Sequence, residues 1–416
     1  MSLRMKRSRP PSDPTEPHML GTARFRAIIG MDLLIMMGFG LIIPALPEFV
    51  KQLGHNEAAV AAVVFGFALT RLMGDFFVGW LIDHFGERVV TAAGAAIVGV
   101  SSITAGLARS YGQLLVLRGL GGFGSSFFLG GLMAYLIAKT PVGERGRAMS
   151  IFQGSFGLGL LIGPAVGGAM LAFASPRVPF YIYGGALVLV VPFILRTIES
   201  VRGRGALADA PDLPTEEVPA PRVPGWRQLR PLLSSSAYVA ALASGALLLF
   251  LSTAEITILK PYWTDVLHQG NGTSGLPFTI AGVFGIAVIW HAGTLTDRRG
   301  RKSALLPALV VTAIGYAAIG QTHSPIAVLA LLALTGLMAG YMRPGPSAIV
   351  ADVSSPETRG AAVAGFRFAG DFGALIGPVG GVVAQYASYA WAWAALGISA
   401  LLVFVLALFA QETLPR

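Results

Sequence analysis

The segment Gly79-Trp-Leu-Ile-Asp83-His-Phe-Gly86-Glu-Arg88 returns 214 positions later as Gly293-Thr-Leu-Thr-Asp297-Arg298-Arg-Gly300-Arg301-Lys302. The same step of 214 carries Pro47 onto Pro261, and Gly159-Leu-Leu-Ile-Gly163-Pro164 onto Gly373-Ala-Leu-Ile-Gly377-Pro378. A chain of 416 residues with a period of 214 is two copies of one design. Any fold proposed for it must divide into two equivalent halves.

What each half is made of follows from its apolar runs. Hydrophobic residues make up 54% of the chain and charged ones 12%, about half the share in soluble domains. Twelve runs are long enough to cross a bilayer: 27–50, 58–82, 89–107, 111–138, 149–174, 178–198, 236–259, 275–295, 303–322, 325–350, 362–384 and 389–410. Hydrocarbon offers no partner to a backbone amide, so each run is expected to be a helix. The expected fold is an all-α integral membrane protein with twelve transmembrane helices in two pseudo-symmetric six-helix bundles. The boundaries are a basic tail over 1–23, a first bundle over 24–198, a proline-rich cytoplasmic linker over 199–231, a second bundle over 232–410 and a tail over 411–416.

The net charge of +9 is a topology signal rather than a nucleic-acid footprint. With a cytoplasmic N-terminus, only Lys51, Arg109, Arg177 and Lys260 among the 30 basic residues fall on the far side, and four more lie inside the runs. The rest sit in tails and loops of one face, which places both termini in the cytoplasm. No cysteine is present, so neither disulfides nor thiol chemistry enter. The formal dinucleotide match Gly119-x-Gly121-x-x-Gly124 lies within an apolar run without a strand before it, and reads as helix packing. No His-Glu-x-x-His or Gly-x-Ser-x-Gly pattern occurs, so an intramembrane enzyme is a remote alternative with little support, and neither cofactor nor metal is expected.

These residues resemble the major facilitator superfamily over nearly the whole chain. The paired loops Gly79, Asp83, Gly86, Arg88 and Gly293, Asp297, Arg298, Gly300, Arg301 are similar to its signature loop; His84 and Glu87 stand where basic residues are usual. Arg118, in Leu114-Leu-Val-Leu-Arg118-Gly, is similar to its fourth-helix motif. Gly159, Gly163, Pro164, Gly167 and Gly168 resemble the fifth-helix motif of its antiporters, and Gly38-Phe-Gly-Leu-Ile-Ile-Pro44-Ala-Leu-Pro47 resembles the first helix of tetracycline-type exporters. The family's usual first-helix acid is replaced by Ile35, with Asp32 one turn away.

Charges inside apolar runs are costly and point to function. Asp32, Arg118, Glu255 and Arg343 fall on runs one, four, seven and ten, which in this family line the cavity. They are the candidates for proton coupling, Asp32 first and Glu255 second, with a fixed structural pair as the alternative. Arg71 and Asp75 on the second run, and Arg367 and Asp371 on the eleventh, stand one turn apart in oppositely directed helices. They suit an interdomain gate joining Asp75 to Arg367 and Arg71 to Asp371; pairing of each arginine with its own i,i+4 aspartate is the competing arrangement. The activity this implies is secondary transport in the cytoplasmic membrane: proton-coupled antiport exporting a small apolar or amphipathic compound. The alternatives are metabolite uptake by symport or lipid movement. The expected partners are a small-molecule substrate, protons and the lipid bilayer, with no nucleic acid, and a monomer suffices.

Overall fold

The computed structural model describes residues 22–140, 145–198, 226–354 and 358–413. Positions 1–21 of the tail expected over 1–23 and most of the linker expected over 199–231 lie outside these residues. So do positions 141–144, 355–357 and 414–416.

The described chain is helical throughout: α1 (Ala23–Gln52), α2 (Glu57–Gly106), α3 (Tyr111–Lys139), α4 (Arg145–Met170), α5 (Val178–Thr197), α6 (Trp226–Leu233) and α7 (Ser236–Pro261). A π-turn (Tyr262–Val266) and a 3₁₀ turn (Asn271–Thr273) follow. Then come α8 (Leu276–Ala287), α9 (Ile289–Arg299), α10 (Arg301–Ile319), α11 (Pro325–Met342), α12 (Pro344–Val353), α13 (Arg359–Ile376), α14 (Val379–Tyr386) and α15 (Tyr389–Phe409). Helix α6 straddles the expected end of the linker.

All twelve apolar runs lie on these helices. Eight helices are each long and apolar enough to cross a membrane, and α8 and α9, bent by 42° at their junction, are together long and apolar enough for one more. Helix α2 holds two of the runs, because its 50 residues break at Gly86, where φ is 77° and ψ 160°. The remaining two are α4, whose apolar stretch is short, and α13 with α14, where α13 carries Arg359, Arg367 and Asp371.

The repeat extends to local detail. Gly86 and Gly300, one period apart, both take positive φ (77° and 108°), a region where a side chain is strained. Each ends one helix and begins the next within its signature loop. Ser110 and Ser324, also one period apart, are both N-caps, accepting from the amides of Gln113 and Ala327 at 3.4 Å. Each half has its own apolar core. One core runs from Phe25 to Ile198; two others draw only on residues between Leu229 and Ala410. The halves meet chiefly where α4 packs on α8 and where α2 packs on α13 and α14.

Candidate functional site

At the end of the bundle where α1 and α7 finish, the halves are sealed. Lys260 Nζ lies 2.6 Å from Glu48 Oε2, and its side chain is only 3% exposed. Beside it, the exposed Lys51 reaches Asp265 at 3.2 Å. These two positions are themselves 214 apart, so the pair sits on the pseudo-twofold axis. Tyr389 donates to Glu57 at 3.1 Å. Backbones approach closely around these pairs. A Cβ on Gly275 would strike Pro164 of α4, and one on Gly381 would stand 3.3 Å from Ala61 of α2. Ala61 and Gly275 are also one period apart, so equivalent positions of the two halves each meet the other half here.

The sequence reading missed this seal. It placed Lys51 and Lys260 among far-side loop charges and gave Glu48, Glu57 and Asp265 no role. Charges at the ends of apolar runs look like ordinary interfacial residues. The one available signal was that Lys51 and Asp265 occupy equivalent repeat positions with opposite charges.

The opposite end is arranged differently. Asp371 stands in the electrostatic field of Arg71, Asp75 and Arg367, so the four residues proposed for an interdomain gate share one neighbourhood. None of them forms an ion pair among the described residues. Asp75 instead accepts from Ser126 Oγ at 2.5 Å, and Arg367 reaches no further than Met133 Sδ, at 4.0 Å, in the other half. Neither the cross-half nor the i,i+4 pairing is made in this conformation.

The four cavity candidates do not form a single cluster. Asp32 is fully buried on α1, accepts from Ser155 Oγ of α4 at 2.6 Å, and its second oxygen has no partner. Glu255 on α7 accepts from Tyr316 of α10 at 2.7 Å. Arg118 is buried on α3, its guanidinium carbon 4.8 Å from the Phe67 ring centre and 5.9 Å from that of Phe180. Arg343, where α11 gives way to α12, is exposed. Nearby, His291 of α9 shares a 2.8 Å hydrogen bond with Tyr341, a pair the sequence reading did not join.

The glycine run on α4 presses against α1. Cβ atoms on Gly159, Gly163 and Gly167 would meet the carbonyl oxygens of Leu33, Met37 and Leu41 in turn, and Pro164 and Gly163 abut Gly40. Close helix approach requires small residues here. Gly168 alone turns to the other half, against Gly275.

The two signature loops differ in strength. In the second, Arg301 bonds Asp297 Oδ1 at 2.9 Å and Asp352 Oδ2 at 2.9 Å, while Glu412 accepts from the amides of Arg301 and Lys302 at 2.9 and 3.1 Å. That carboxylate caps the start of α10, where the helix dipole favours it. Arg298 is exposed there. In the first loop the repeat equivalent of Arg301 is Glu87 and that of Asp352 is Ala138, so the same network cannot form. Asp83 and Arg88 make no ion pair among the described residues, and a buried Glu87 oxygen lacks a partner.

The model of the Major Facilitator Superfamily matches residues 29–256 and 242–416. The chain belongs to the Major Facilitator Superfamily. Among curated relatives, Multidrug resistance protein 2 of Bacillus subtilis is 29% identical over 44% of this chain and 46% of its own length. Quinolone resistance protein NorA of Staphylococcus aureus is 28% identical over 39% of this chain and 42% of its own. The matched stretches thus span less than half of those relatives. A bacterial homolog of the human lysosomal transporter Spinster superposes with a TM-score of 0.72 at 15% identity, covering 92% of this chain and 94% of that one, which shows the shared fold. As a member of this superfamily the chain is a multi-pass membrane protein of a transporter family.

Proposed function

We propose that the protein is a proton-coupled antiporter of the cytoplasmic membrane that exports a small apolar or amphipathic compound by alternating access, working as a monomer with both termini in the cytoplasm. The observation that carries this reading is Asp32. It is a fully buried carboxylate with one hydroxyl partner and no cation, set in the α1–α4 seam built by the antiporter-like glycine run. Its proton can be exchanged as that seam shifts, because no fixed arginine holds the charge. The partial likeness to multidrug and quinolone resistance proteins supports export of drug-like compounds.

In this reading the seal at Glu48, Lys260, Lys51 and Asp265 closes the outer side, and the described conformation opens to the cytoplasm. Arg71, Asp75, Arg367 and Asp371 pair only in the opposite state, when the bundles rock and the inner side closes. The signature loops latch that inner face, the second more firmly than the first.

The test is transport in everted vesicles of an amphipathic fluorescent dye such as 8-anilino-1-naphthalenesulfonate, driven by an imposed pH gradient. Asp32→Asn is expected to abolish gradient-driven movement while dye binding to purified protein persists. Full coupling in that variant would remove Asp32 as the carrier.

A further inference from the structure

The buried charged residues of the described chain are Asp32, Glu87, Arg118 and Lys260. Lys260 has Glu48. Arg118, 5% exposed, has no acceptor: none of its nitrogens donates to a protein atom among the described residues, and its Nε is wholly buried. No carboxylate of the described residues bonds to it. Asp32 lies on another helix and accepts from Ser155, Asp75 accepts from Ser126, and Glu255 accepts from Tyr316.

What surrounds Arg118 is aromatic. The rings of Phe67 and Phe180 flank the guanidinium, and Phe39 extends the wall, its ring centre 5.7 Å from that of Phe67. The nearly buried Tyr183 lies in the field of both Arg118 and Arg71. Arg71, one turn beyond Phe67 on α2, likewise has a buried Nε without a partner. Ring faces attract a guanidinium but replace only part of its lost hydration. A planar fork of donors lacking an acceptor is suited to two oxygens of a carboxylate or sulfonate.

We propose that Arg118, set between Phe67 and Phe180 with Phe39 behind Phe67 and Tyr183 beside it, is the subsite for an anionic group on the transported compound. The substrate class is therefore an amphipathic organic acid, a carboxylate or sulfonate carried on an aromatic or apolar body. This deepens the export reading but does not depend on proton coupling.

The experiment measures equilibrium binding to the purified full chain, with no gradient present, by quenching of its tryptophan fluorescence. The probes are 1-naphthoate, 1-naphthalenesulfonate, neutral 1-naphthalenemethanol and cationic 1-naphthylmethylammonium. One charge-assisted contact corresponds to about a tenfold or greater preference for the two anions over the neutral probe. Arg118→Gln is expected to abolish that preference, bringing anionic and neutral probes to the same affinity, and Arg118→Lys to keep part of it. Equal binding of anionic and neutral probes by the unaltered protein overturns the proposal, and that comparison needs no variant. An undiminished anion preference in Arg118→Gln overturns it as well. Anion preference without gradient-driven movement in vesicles supports the subsite and removes the antiport reading alone.

Discussion

Lys260 Nζ and Glu48 Oε2 stand 2.6 Å apart across the two halves, with the lysine side chain almost wholly enclosed. Breaking a buried pair from one side strands the other charge, at about 3–5 kcal/mol. Glu48→Gln is expected to lower the thermal midpoint of the purified protein by several degrees. Lys51→Ala, at a pair whose lysine is 64% exposed, should move it little, since exposed pairs contribute about 0–1 kcal/mol. Equal shifts in the two variants would contradict the seal as described.

The gate at the other end makes a different prediction. Asp75 and Arg367 form no ion pair with each other in this conformation, so under the proposed gate they are expected to couple in the opposite one. A double-mutant cycle on transport with Asp75→Asn and Arg367→Gln should show coupling of roughly 0.5–3 kcal/mol. Purely additive effects would sink the reciprocal gate.

Gly300 is held at φ 108° with the Glu412 carboxylate 2.7 Å from where a Cβ would stand. Gly300→Ala is expected to cost about 1–3 kcal/mol of backbone strain and to loosen the cap on α10. Slower hydrogen exchange at the Arg301 and Lys302 amides after substitution would be the wrong sign.

On α4, Gly163 and Gly157 form a matched test. A methyl at Gly163 would enter the α1 backbone, whereas at Gly157 it meets nothing within 4 Å. Gly163→Ala should destabilise by about 1–3 kcal/mol through overpacking, and Gly157→Ala should be neutral or slightly stabilising through helix propensity. Thermal unfolding in detergent separates the two.

The architecture was legible because period and hydropathy act along the chain, and both survive in one dimension. The step from Gly86 to Gly300 marked two backbone sites that need glycine, and the run lengths marked the crossings. The site was less legible. Charge type and depth could be read for Asp32, Arg118 and Glu255, but their hydroxyl partners Ser155 and Tyr316 lie 123 and 61 residues away, and nothing in the spacing singles them out. The seal was hidden for another reason. Whether Lys260 is a loop charge or a buried one depends on where the π-turn after Pro261 carries the chain, which is a tertiary fact.

Lys51 and Asp265 occupy the same position in the two copies and touch each other. In an assembly of two identical chains, a residue on the twofold axis meets its own image, so that position would have set lysine against lysine or aspartate against aspartate. Opposite charges there require the two copies to differ, so this ion pair is a contact that a symmetric homodimer of either half could not make.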